Sequence, residues 1–151
     1  MVRVEFSAVT KADRELTWKL FTNIYLWRRV ADVYGDIEWR SGRPWEVGSR
    51  LKIEILEPVK TTVDHVITIC TPPDTVAWID HAMGNTMEQW VQFESMPNGG
   101  TRVHTWAELA GSTLFVDGRP VCQVLKAFIE RWYAKFCDEC DLAAQQELQF
   151  T

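Results

Sequence analysis

Pro120-Val-Cys-Gln-Val-Leu-Lys-Ala-Phe-Ile-Glu-Arg-Trp-Tyr-Ala-Lys-Phe-Cys-Asp-Glu-Cys140 carries the clearest period in the chain. Val121, Val124, Leu125, Phe128, Ile129, Trp132, Tyr133, Phe136 and Cys140 recur at threes and fours, with Lys126, Glu130, Arg131 and Lys135 between them. That spacing predicts a helix with one apolar stripe. Pro120 suits its first turn, and the pattern runs on to about Glu147. At 1.5 Å per residue such a helix is roughly 40 Å long, enough to cross a whole sheet.

Upstream of it the period changes from three and four to two. Val2, Val4, Phe6 and Ala8 alternate with Arg3, Glu5 and Ser7, which predicts strand one with one buried face. Thr10 with Asp13 reads as a capping box before a helix from about Lys11 to Thr22. A second short helical segment, Ile24 to Val33, carries Trp27 and Val30 inward and ends at Gly35. Ile37 and Trp39 begin strand two; Leu51, Ile53 and Ile55 form strand three; Val63, His65, Ile67 and Ile69 form strand four; Val76, Trp78 and Asp80 form strand five. Pro58 and Thr71-Pro-Pro-Asp74 supply turns. A tight second turn sets His65 opposite Asp80, Ile67 opposite Trp78 and Ile69 opposite Val76.

Met96-Pro-Asn-Gly-Gly100 is a hairpin signal between strand six, about Thr86 to Ser95, and strand seven, about Thr101 to Ala110. Pairing Phe93 with Val103 sets Val91 opposite Thr105, Gln89 opposite Ala107 and Met87 opposite Leu109. The other face then pairs Glu94 with Arg102, Gln92 with His104 and Trp90 with Trp106. Because Glu94 and Arg102 make a sensible solvent-side pair, that face points outward and exposes the two tryptophans. Such a patch is a candidate homodimer contact.

The chain of 151 residues, 46% of them apolar, has the size of one domain spanning 1–151. A net charge of −5 argues against binding a nucleic-acid backbone, which calls for a basic face. No apolar run approaches the roughly 18 residues of a membrane span, and Met-Val-Arg-Val-Glu at the N-terminus lacks a secretion signal's apolar core. A cytoplasmic location is the expectation, and the four cysteines fit it, since they form no evident disulfide framework. Cys137-Asp-Glu-Cys140 matches a redox CxxC only formally. It falls late in its helix among Asp138, Glu139 and Asp141, which disfavour a thiolate, and no second pair of ligands follows to complete a zinc site.

This order of parts resembles the START-like superfamily, also called Bet v 1-like or SRPBCC. The resemblance is carried by strand one, by the two short helices including Asn23-Ile-Tyr-Leu-Trp27, and by Trp45-Glu-Val-Gly-Ser-Arg-Leu51 leading into strand three. Pro72-Pro-Asp-Thr-Val-Ala-Trp78 and Asn98-Gly-Gly-Thr-Arg-Val103 complete it. The resemblance implies an α+β helix-grip fold, in which a curved seven-stranded antiparallel sheet wraps around a long C-terminal helix. It also implies a cavity between them for a small hydrophobic molecule: aromatic, polyketide-like, sterol-like or lipid. The polyketide cyclase/dehydratase branch makes an enzyme the alternative. There an arginine toward the end of strand four is thought to position substrate, and Val66-Ile-Thr-Ile-Cys-Thr71 offers none. The branch resembling the activator of Hsp90 ATPase has a similar strand order and implies a protein-interaction module instead.

Most of the inner face is aliphatic or aromatic and reads by default as core packing plus pocket wall. Strands two to five contribute Trp39, Ile53, His65, Ile67, Trp78 and Asp80 to the expected ligand site. Gln89, Val91, Thr105, Phe128 and Trp132 complete it from strands six and seven and the long helix. Inward His65 and Asp80 are best explained as partners of each other or of a ligand, because an unpartnered buried polar group costs about 1 to 3 kcal/mol. A carboxylate beside an imidazole also suits general acid/base work, which makes the pair the candidate catalytic residues. His65, His81 and His104 lie on different strands, the sequence holds no phosphate-binding glycine loop or GxSxG elbow, and no metal or cofactor is implied.

Overall fold

Strand β1 (Val2–Thr10) turns Val4, Phe6 and Ala8 toward the interior and Arg3, Glu5 and Ser7 toward solvent. The structure is a computed structural model that describes residues 2–57, 59–82, 84–111, 115–116 and 118–149; the expected turn residue Pro58 lies outside the described residues. Helix α1 (Arg14–Phe21) starts three residues later than its sequence signal, because Asp13 caps it, accepting from the Leu16 amide at 2.8 Å. Thr10 cannot serve as the cap, since it is still in β1 and its hydroxyl donates to Asp141 at 2.6 Å. A 3-10 turn (Ile24–Leu26) then runs into the short helix α2 (Trp27–Val30), burying Ile24, Leu26, Trp27 and Val30. The backbone is already extended at Ala31, so Gly35 is not a helix stop; it lies inside β2 (Tyr34–Ser41).

The remaining strands are β3 (Arg50–Ile55), β4 (Thr61–Thr71), β5 (Thr75–Ala82), β6 (Asn85–Ser95) and β7 (Thr101–Gly111). They join β1 and β2 in a seven-stranded antiparallel sheet of order β1-β7-β6-β5-β4-β3-β2. The β6–β7 register is the one read from sequence: Phe93 faces Val103, Val91 faces Thr105 and Trp90 faces Trp106. Trp90 and Trp106 do point outward, but each is half-buried rather than exposed, because their rings stack on each other at 5.7 Å and the Arg3 guanidinium lies over Trp106.

The β4–β5 register departs from expectation partway along. Ile67 pairs with Trp78 as expected, but Ile69 then pairs with Ala77 and Cys70 with Val76. Thr68 is thus an extra residue on β4, a bulge that reverses which side chains face inward beyond it. Ile69, expected inside opposite Val76, is 38% exposed, and Cys70 takes the position facing Val76.

A short ribbon of β8 (Phe115–Val116) and β9 (Arg119–Pro120), absent from the sequence reading, leads into helix α3 (Val121–Gln149). Pro120 therefore precedes the helix. Its 29 residues span roughly 44 Å along the inner face of the sheet. Phe21 sits fully buried where α1, the sheet and the middle of α3 meet, with the rings of Trp27, Trp45, Trp78, Phe93, Trp132 and Phe136 centred 5.5 to 6.2 Å away. Near its far end α3 is tied to the start of the chain by Asp141, which accepts from the Thr10 hydroxyl and, at 2.7 Å, from the Lys11 amide.

Candidate functional site

A cavity of about 230 Å³ lies between the first turns of α3 and the inner face of β3 to β6. Ile53, Ile55 and Val63 line it from the sheet, and Val121, Val124, Leu125 and Phe128 line it from the helix. Those four helix residues are only half-buried, whereas Ile129, Trp132, Tyr133 and Phe136 farther along the same stripe are buried. The difference follows from what stands opposite. The later residues pack among the rings around Phe21 even where Ile129, Trp132 and Tyr133 border the cavity, and the earlier ones keep more of their surface open to it.

Three polar residues stand together on the sheet side of this wall. The β4–β5 register sets His65 beside Trp78 and Asp80, with the imidazole stacked on the indole at 5.1 Å and His65 Nδ1 3.1 Å from Asp80 Oδ2. The two atoms are close enough for an electrostatic contact, but they are not aligned for a hydrogen bond. His65 Nδ1, Asp80 Oδ2 and Trp78 Nε1 are all buried without a hydrogen-bond partner. Native interiors seldom leave such atoms unsatisfied, and all three belong to residues that line one cavity.

Gln89 and Tyr133, also on the wall, are bonded to each other. Gln89 donates from Nε2 to the Thr105 and Tyr133 hydroxyls, at 3.0 Å each, and the Thr105 hydroxyl donates in turn to the Trp90 carbonyl. Burial pushes the Tyr133 phenol up, well above the ordinary range for tyrosine, so it stays protonated. Tyr34 behaves likewise: burial raises it, and its oxygen accepts from Trp132 Nε1 at 2.8 Å, which leaves its own proton to donate.

Of the residues expected from sequence, Ile53, His65, Trp78, Asp80, Gln89, Phe128 and Trp132 come together on the cavity wall. Trp39, Ile67, Val91 and Thr105 do not. Ile67 and Val91 are closed off in the core, Thr105 stands behind Gln89 as its hydrogen-bond partner, and Trp39 packs edge-on against Trp45 at 5.3 Å. Alternation gives the correct face for Ile67, Val91 and Thr105 but not the distance along the strand at which packing gives way to space. Tyr34 also lines the cavity; the sequence pattern leaves it in the connection that ends at Gly35, whereas β2 already begins there, with a register shift before Ile37. Val121, Val124 and Leu125 carried a clear helical period, but nothing in it separated wall from core.

The remaining titratable candidates lie elsewhere. His81 bonds Thr86 at 2.9 Å and His104 meets Glu5 at 2.7 Å, both on the outer face. Cys137 and Cys140 are buried, and burial with nearby acidic groups pushes the Cys137 thiol up to about 12 and Cys140 upward as well. Among the described residues no helix is long and apolar enough to cross a membrane.

No family model matches this sequence, and no curated protein matches it. Solved structures do match. Ara h 8.0201, a Bet v 1 homologue, superposes with a TM-score of 0.74 over 92% of this chain and 97% of its own, at 13% identity. This chain has the Bet v 1-like helix-grip fold. The hypothetical protein jhp0584 from Helicobacter pylori shares it at 14% identity and a TM-score of 0.75, over 92% of this chain and 88% of that one. A conserved protein from Geobacillus kaustophilus shares it at 13% identity and 0.75, over 92% and 95%. At such identities the likeness is one of architecture, and the helix-grip fold alone does not choose a ligand or a reaction.

Proposed function

We propose that this helix-grip protein binds a small, mostly apolar molecule in the cavity under the first turns of α3. The half-buried stripe Val121, Val124, Leu125 and Phe128 facing open space carries this reading, because apolar side chains of a long helix otherwise close on a neighbour. A volume of about 230 Å³ falls below the roughly 300 to 1,000 Å³ of pockets for drug-sized ligands. It favours a guest of one or two rings over the sterol-like molecule that the sequence also allowed.

Native mass spectrometry of protein purified from its own host, followed by titration with one- and two-ring aromatics, tests the proposal. A one-to-one adduct is expected, and Leu125→Trp, which narrows the cavity, should weaken it while the protein stays folded. Absence of any adduct together with no binding across the panel defeats the reading.

His65 beside Asp80 supports a second reading, in which the guest is a substrate and the pair moves a proton on it. His65→Ala and Asp80→Ala would then lower turnover by about 100-fold or more while binding persists. If both variants lose affinity but no conversion of a bound guest is ever detected, binding alone is the activity.

A further inference from the structure

Resting on the cavity as a binding site, we infer that its guest carries a hydroxyl group, a phenol or a ring alcohol, held between Trp78 Nε1 and Asp80. Trp78 and Asp80 are two residues apart on β5, so both side chains rise from the same face of the sheet roughly 7 Å apart at the backbone. Both are more than nine-tenths buried, and both line the cavity. Neither Trp78 Nε1 nor Asp80 Oδ2 has a hydrogen-bond partner.

Their chemistry narrows what can satisfy them. An indole N–H only donates, and a carboxylate oxygen only accepts. A hydrocarbon guest leaves both orphaned. An ether or ketone answers Trp78 and leaves Asp80. An ammonium answers Asp80 and leaves Trp78, and a carboxylate guest is repelled by Asp80. A hydroxyl accepts from Trp78 and donates to Asp80 at once. His65, stacked on Trp78 with Nδ1 3.1 Å from Asp80, walls the same spot. The ring behind the hydroxyl then lies against Val63, Val124 and Phe128.

A matched set of probes tests this: naphthalene, naphthol and naphthylmethylammonium, titrated against the wild-type protein by NMR chemical-shift perturbation. Naphthol should bind at least about tenfold more tightly than naphthalene, because a site built to bond a hydroxyl disfavours the analogue without one. Trp78→Phe keeps a ring and deletes the N–H together with the outer part of the indole, and Asp80→Leu deletes the acceptor. In each the naphthol-to-naphthalene affinity ratio should shrink to about twofold or less. Circular dichroism confirms that the variants are folded, and the wild-type ratio stands without them. Equal binding of naphthol and naphthalene, or a preference for the ammonium, overturns the hydroxyl inference and leaves the apolar cavity intact. Failure of all three probes to bind defeats the cavity reading and the inference with it.

Discussion

The two halves of α3 carry the same apolar spacing and meet opposite conditions. From Ile129 onward the stripe is buried against Phe21 and its surrounding rings, and the helix is pinned at Asp141 to Thr10 and Lys11. From Val121 to Phe128 the stripe is half-exposed over a cavity. What differs is the side facing the helix. Opposite the later turns the rings of Phe21 and Trp27 pack on Trp132, whereas opposite the first turns β3 and β4 present mainly the aliphatic side chains of Ile53, Ile55 and Val63 across the cavity. One end of the helix therefore supplies stability and frees the other end to remain hollow.

This contrast predicts a gradient of mutational cost. Phe21→Ala should have the largest effect, about 3 to 5 kcal/mol in urea unfolding, since it empties the centre of the ring cluster; a loss below about 1 kcal/mol would mean that the cluster is not the stabilising end. Asp141→Ala should cost about 2 kcal/mol by removing the acceptor shared by Thr10 and Lys11, with faster amide exchange at Lys11 as the local sign. Trp132→Phe, at the boundary of the two regions, should cost about 1 kcal/mol through loss of its bond to the Tyr34 hydroxyl. The smallest change is expected for Val124→Ala, under about 1 kcal/mol, because this side chain already borders open space. Its effect should appear instead as altered guest affinity. A cost for Val124→Ala as large as that for Phe21→Ala would erase the distinction between the two ends.

The fold was legible because it depends on periods, and periods are local. The β6–β7 register followed from one hairpin signal and the Glu94–Arg102 pair, and the helical stripe was visible in full. What escaped were events that break a period. The extra residue Thr68 moved Ile69 out and Cys70 in, and β2, beginning at Tyr34 with a register shift before Ile37, brought a phenol to the cavity wall. The site was half legible for a related reason. His65, Trp78, Asp80 and Gln89 were identified as inward-facing, but whether an inward residue meets a void or a neighbour depends on elements far away in sequence. Ile67 and Ile53 look alike in the chain; one is sealed in the core and the other borders the cavity.

Strand β1 lies beside β7, with Val2 across from Leu109 and Thr10 across from Thr101. Among the strands of this sheet β1 is synthesised first, yet it has no strand partner until β7 is made, and its tether Asp141 arrives later still. Addition of β1 to the sheet is accordingly a late event in biosynthesis, and the long separation between partners is of the kind that slows folding. Until then β1 is an unpaired strand, and nascent chains stalled before β7 should be the form most prone to aggregate or to recruit chaperones.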